Sequence, residues 1–127
     1  MVLFRVFLAI AAILGGLGVA GGAFASHALK EHLSERMLAI FETGIRYQMY
    51  HALALFGVAL LLSRTEAGAG WLVGAGWAFV VGVVLFSGSL YTLSLSGVKW
   101  LGAVAPLGGA AFIVGWGCLA IAALTLK

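Results

Sequence analysis

Polar positions are scarce along this chain, and they come in clumps. Between the clumps lie four runs of Leu, Val, Ala, Gly and Phe, at residues 3–26, 45–62, 71–95 and 101–126. A helix needs about 20 apolar residues to cross a bilayer, so the pattern predicts four spans. The first run carries one charge, Arg5. Ala23-Phe24-Ala25 near its end looks like a signal-peptide cleavage site, but the run exceeds the ~7–15 apolar residues of a signal peptide, which favours a span. Small residues recur every fourth position at Gly18, Gly22 and Ser26, at Ala12, Gly16 and Ala20, and at Gly70, Gly74, Ala78 and Gly82. Each series lays a smooth stripe along one helix face, which suits close helix packing.

The most polar clump is 27–43, HALKEHLSERMLAIFET. Leu33, Met37, Ile40 and Phe41 follow helical spacing, Ser34 fits an N-cap, and Glu35 falls in the first turn. This predicts a short amphipathic helix on the membrane surface, leading into the second span. Arg46, Tyr47, Gln48 and His51 then enter the second apolar run. With the span starting at Ile45, His51 lies roughly 7 Å beyond Arg46 at ~1.5 Å of rise per residue. Ser63–Gly70 and Ser96–Trp100 read as short turns. Ser87, Ser89, Tyr91, Thr92 and Ser94 gather in the second half of the third span. Pro106 falls in the first turns of the fourth, where a missing N–H is tolerated.

Composition sharpens the picture. Of 127 residues, 64% are hydrophobic and 9% charged, against about a quarter charged in soluble domains; mean hydropathy is +1.18. The net charge of +3 comes from scattered single residues, so there is no basic stripe for nucleic acid. The single cysteine, Cys118, excludes an internal disulfide and leaves the redox compartment unread. Alternating spans place the end of span one, the start of two, the end of three and the start of four on one side of the bilayer. The hydrophilic side chains therefore converge on one end of a four-helix bundle: His27, Glu42, Arg46, Tyr47, Gln48, His51, Ser87, Ser89 and Tyr91. Orientation stays open, because cations flank the two sides equally: Arg5, Arg64, Lys127 and the terminal amine against Lys30, Arg36, Arg46 and Lys99.

Four blocks carry a resemblance: GGAFASHALKEHL, TGIRYQMYHALAL, LFSGSLYTLSLSG and APLGGAAFIVGW. In this order they resemble the YgdD-like family of small bacterial membrane proteins, a family of unknown function with eukaryotic relatives. The family pattern falls on Gly22, Ala23, Phe24, His27, Leu29, Thr43, Gly44, Tyr47, Gln48, His51, Ser87–Tyr91, Pro106, Gly108 and Gly109. Ala25-Ser26 departs from it, since Gly-Ala is more usual before the histidine. The resemblance implies a four-helix protein of the bacterial inner (cytoplasmic) membrane and brings no activity with it.

Chemistry is sparse. His27 and His51, on neighbouring spans, could hold a haem axially, or a metal with His32 or Glu31; a compact ligand motif is missing. More simply, a structural polar network is expected, in which His27 bonds Glu31 or a helix-end carbonyl and His51 bonds Tyr47 or a serine of span three. Glu42 and Arg46 are spaced to pair on one helix face, or to meet a lipid headgroup or a quinone ring. Tyr47, Tyr50 and Tyr91 suit an interfacial aromatic belt. Ser87-Gly88-Ser89 lacks the frame of a nucleophile elbow. A proton-coupled transporter or channel-forming oligomer would use His51, Tyr47 and Glu42 as a relay. The expected function is a non-enzymatic accessory or scaffold protein without cofactor or metal, associating with a larger membrane complex or with itself.

Overall fold

A computed structural model describes residues 2–127. Among these residues the structure is all helical: α1 (Val2–His27), a 3-10 turn (Leu29–Glu31), α2 (Glu35–Arg64), α3 (Ala69–Gly82), a π-helical turn (Val83–Ser87), α4 (Gly88–Ser96), a second 3-10 turn (Lys99–Ala103) and α5 (Ala105–Thr125). Four stretches are long and apolar enough to cross a membrane: Val2–His27, Glu35–Arg64, Ala69–Ser96 and Lys99–Thr125. The third runs straight through α3, the π turn and α4.

The expected surface helix does not stand apart. Ser34 is the N-cap, its Oγ accepting from the Met37 N–H at 3.1 Å. From there α2 continues unbroken for 30 residues. The charges of Glu35, Arg36 and Glu42 lower hydropathy without ending the helix, because neither proline nor a left-handed residue interrupts it. Thus α2 begins ten residues before Ile45, or about 15 Å earlier. The turns before α3 and after α4 hold the two glycines with positive φ, Gly68 (71°) and Gly97 (74°). A side chain rarely adopts that conformation, whereas glycine does so freely.

Helices α2 and α3 form the central pair; α1 packs on α2 and α5 packs on α3. The core between them contains Phe7, Leu55, Val58, Leu72, Phe79 and Phe112. Rings seat in glycine recesses. Phe7 occupies the space a Cβ would fill at Gly76, Phe112 the space at Gly82, and Phe79 the space at Gly115. Phe7 also meets Trp77 edge-on at 5.1 Å, which builds α1 into the bundle. At Gly108 the neighbour is the main chain of Phe86, so α5 and the π turn touch backbone to backbone. Glycines 15, 16, 22, 109 and 117 instead face open space. The small-residue stripes are therefore only partly consumed inside the chain.

The π turn has a local signature. The Gly88 N–H reaches back five residues to the Val83 carbonyl. The extra residue bends the i-to-i+4 ladder and re-aims Ser87 toward α2. Such single turns are rare and recur at functional sites.

Candidate functional site

The interior polar groups form a column rather than a rim. Ser87 Oγ donates to the Gly44 carbonyl at 2.7 Å. Tyr91 Oη donates to Gln48 Oε1 at 2.6 Å, and Gln48 Nε2 donates to the Leu14 carbonyl at 2.8 Å. One carboxamide thus ties α1, α2 and α4 together. The Tyr91 ring reaches it because Gly44 has no side chain; a Cβ there would lie 2.7 Å from Tyr91 Cε1. Gln48 is 5% exposed, and both of its polar atoms are used.

Depth corrects the expectation of a shared polar end. Gln48 bonds Leu14, the midpoint of α1, so it lies at mid-length of the bundle. His51 is almost one turn further on, past the centre of α2. His27 ends α1 and is exposed. It lies thirteen residues beyond Leu14, about 20 Å of rise. The two imidazoles therefore cannot hold one haem or one metal between them. The cause is the early start of α2, which carries His51 away from the rim. Among the described residues, no three of His, Cys, Asp and Glu gather as a metal cluster.

His51 is held by a partner that sequence spacing missed. Its Nδ1 lies 2.7 Å from the Tyr47 carbonyl, so this nitrogen carries the hydrogen. The Trp116 indole N–H donates to Nε2 at 3.0 Å. An indole nitrogen only donates, so Nε2 keeps its lone pair and the ring is the neutral Nδ1–H tautomer. Phe112 stacks face to face on the imidazole, with centroids 3.6 Å apart and planes at 6°. Since Phe112 itself sits in the Gly82 recess, a glycine on α3 sets the position of a histidine on α2. No hydropathy pattern shows that relay; the fourth span offered only a tryptophan in an apolar run.

The remaining candidates disperse. Tyr47 projects outward, 38% exposed, and packs on Phe86 at 4.7 Å. Glu42 and Arg46 border a cleft with Gly22 and Ser26 of α1. Arg46 donates to the Thr43 hydroxyl at 3.1 Å where the spacing suggested Glu42. Ser89 and Ser94 turn back to their own helix, onto the Phe86 and Tyr91 carbonyls. Ser87 alone of the three crosses to another helix.

Between α2 and α5 lies a concavity of about 490 Å³, lined by Tyr47, His51, Phe86, Pro106, Gly109, Ala110, Phe112, Ile113 and Trp116. It opens sideways, with Ile113 74% and Trp116 46% exposed. The hydrogen bonds of this region join Ser87 to Gly44, Tyr91 to Gln48, His51 to the Tyr47 carbonyl and Trp116 to His51. None of them uses the Tyr47 hydroxyl.

A family model described as "Protein of unknown function (DUF423)" matches residues 21–109. The chain belongs to the DUF423 family. It is similar to the UPF0382 membrane protein YwdK of Bacillus subtilis, 45% identical over 94% of this chain and 97% of that protein. A UPF0382 membrane protein of Staphylococcus epidermidis is 42% identical over 94% and 96% of the two chains. The UPF0382 inner membrane protein YgdD of Escherichia coli is 37% identical over 97% and 92%. No solved structure matches. This DUF423 member is thus an integral protein of the inner membrane with four helical spans. The matched segment contains Gly44, Gln48, His51, Ser87 and Tyr91, but begins after Leu14 and ends before Phe112 and Trp116.

Proposed function

We propose that this DUF423 protein is a non-enzymatic accessory subunit, docking on a helix of a larger membrane complex through the groove between α2 and α5. The observation that carries this is the Tyr47 hydroxyl. It stands near mid-length of α2, exposed sideways, with no partner among the described residues. In hydrocarbon an unpaired hydroxyl is costly, and water is absent to relieve it. Trp116 shares the groove at the centre of α5, far from the interfacial belts that usually hold such residues. Tyrosine and tryptophan are also the side chains that dominate binding interfaces. The floor at Gly109 and Ala110 lets a partner helix approach closely.

A non-enzymatic role is supported by the closed state of the polar groups. Every buried side-chain N and O among the described residues has a partner, and both His51 nitrogens are engaged. A proton relay from Glu42 to His51 has less support, since Glu42 borders the α1 cleft while His51 faces α5.

The test is a photoreactive residue at Ile113 in native membranes, with Val19 on α1 as the control face. The expected product at Ile113 is one adduct of fixed mass, lost when Gly109→Leu fills the groove. Adducts identical at Ile113 and Val19, or untouched by Gly109→Leu, would refute docking at this groove. An adduct at twice the monomer mass would replace the accessory role with self-association.

A further inference from the structure

A second cleft lies at the end of the bundle where the first turns of α2 meet α4 and the 3-10 turn before α5. It measures about 270 Å³ and is lined by Arg36, Met37, Ile40, Leu93, Lys99 and Gly102. Two cations and no carboxylate face it. Neither cation takes part in the side-chain hydrogen bonds near this cleft, which are Ser34 to Met37, Ser94 to the Tyr91 carbonyl and Ser96 to the Thr92 carbonyl. Both are exposed. Arg36 lies in the first turn of α2, and Lys99 opens the 3-10 turn. Trp100 beside it is 68% exposed, as suits a residue anchored at a membrane–water boundary.

We infer that this cleft binds an anionic phospholipid, its phosphate between Arg36 and Lys99 and its first acyl carbons along Met37, Ile40 and Leu93. Charge and polarity favour that occupant. Cations stand at the end of the cleft toward the start of α2. Ile40 lies one turn further along the helix, and Leu93 is buried behind it. Polar then apolar, read inward from the helix end, is the order of groups in a lipid. The amino end of α2 adds positive potential at the same place. A free anion has no use for the apolar floor, and a partner helix has none for two unpaired cations. A zwitterionic headgroup would bring its own ammonium close to the two cations. The net charge of a phosphoglycerol-type headgroup avoids that repulsion.

Native mass spectrometry of the full chain tests the inference, with phosphatidylglycerol and phosphatidylcholine of matched chains supplied equally. Wild type is expected to retain phosphatidylglycerol in clear excess. Arg36→Gln and Lys99→Gln should each cut that preference about fivefold, the worth of one cation near an anionic headgroup, and the double variant should abolish it. Arg64→Gln, at the other end of the bundle, should leave it intact. Circular dichroism should show all four variants equally helical. Equal retention of the two lipids, or an equal loss in Arg64→Gln, overturns the inference. Displacement of phosphatidylglycerol by inorganic phosphate alone would also overturn it, by making the cleft a free-anion site.

Discussion

Gln48 is the side chain on which three helices depend, and its removal has a calculable consequence. Gln48→Leu keeps the bulk and deletes two hydrogen bonds, to Leu14 and from Tyr91. Between membrane helices such bonds average ~0.6 kcal/mol each. The deletion also strands the Tyr91 hydroxyl, and an orphaned donor costs ~1–3 kcal/mol. Tyr91 is only half-buried, so the lower figure applies and the total is about 2 kcal/mol. Tyr91→Phe alone removes one bond and strands one oxygen of the buried Gln48, costing about 2 kcal/mol. In the double variant no donor is stranded, so it should cost about 1 kcal/mol, less than Gln48→Leu by itself. Reversible unfolding in bicelles would measure the cycle. Tyr91→Phe should destabilise the wild type and stabilise the Gln48→Leu variant, with a coupling of about 3 kcal/mol. Additivity within ~0.5 kcal/mol would refute the bridge and leave Gln48 as a passive space-filler.

Three further outcomes are expected. Gly108→Ala pushes a methyl into the Phe86 main chain, which cannot yield as a side chain can; it should cost ~1–3 kcal/mol. Its neighbour Gly109→Ala meets open space and should be neutral or stabilising by up to ~1 kcal/mol, and equal effects in the same unfolding assay would contradict the packing. Ser34→Ala removes the α2 cap and should cost ~1 kcal/mol. In wild type, amide exchange across 39–44 should be as slow as across 46–62; fast exchange there would mean that α2 starts near Ile45 after all. Trp116→Phe strips the donor from His51 Nε2 and should cost roughly 0.6–1.7 kcal/mol. The His51 ring nitrogen shift should move with it, and an unmoved NMR signal would disprove the indole bond.

Much of the architecture is written in local pattern. Apolar runs count the spans, Ser34 marks where α2 begins, and Pro106 and the Gly97 turn bracket the last connection. Local cues failed where charge and helix coincide. Glu35, Arg36 and Glu42 made the head of α2 look like a separate surface element, and that shifted the apparent depth of His51 by ten residues. The candidate site was half legible. Tyr47, Gln48, Ser87 and Tyr91 stood out as polar groups in apolar runs; Gln48 and Tyr91 bond each other, and Ser87 bonds the Gly44 carbonyl instead. Trp116 did not stand out, because nothing in an apolar run marks a tryptophan as the partner of a histidine on another helix.

Composition and periodicity alone determined that this chain lives in lipid, crosses it four times and packs through small residues. Those properties are set by solvent transfer and by helix rise, which act on each segment independently. Which glycine receives which ring, which polar atom reaches which carbonyl, and which faces stay open were decided only in three dimensions. Such choices depend on the rotation and depth of each helix against its neighbours, and in hydrocarbon these are settled by shape and hydrogen bonding among all four spans at once.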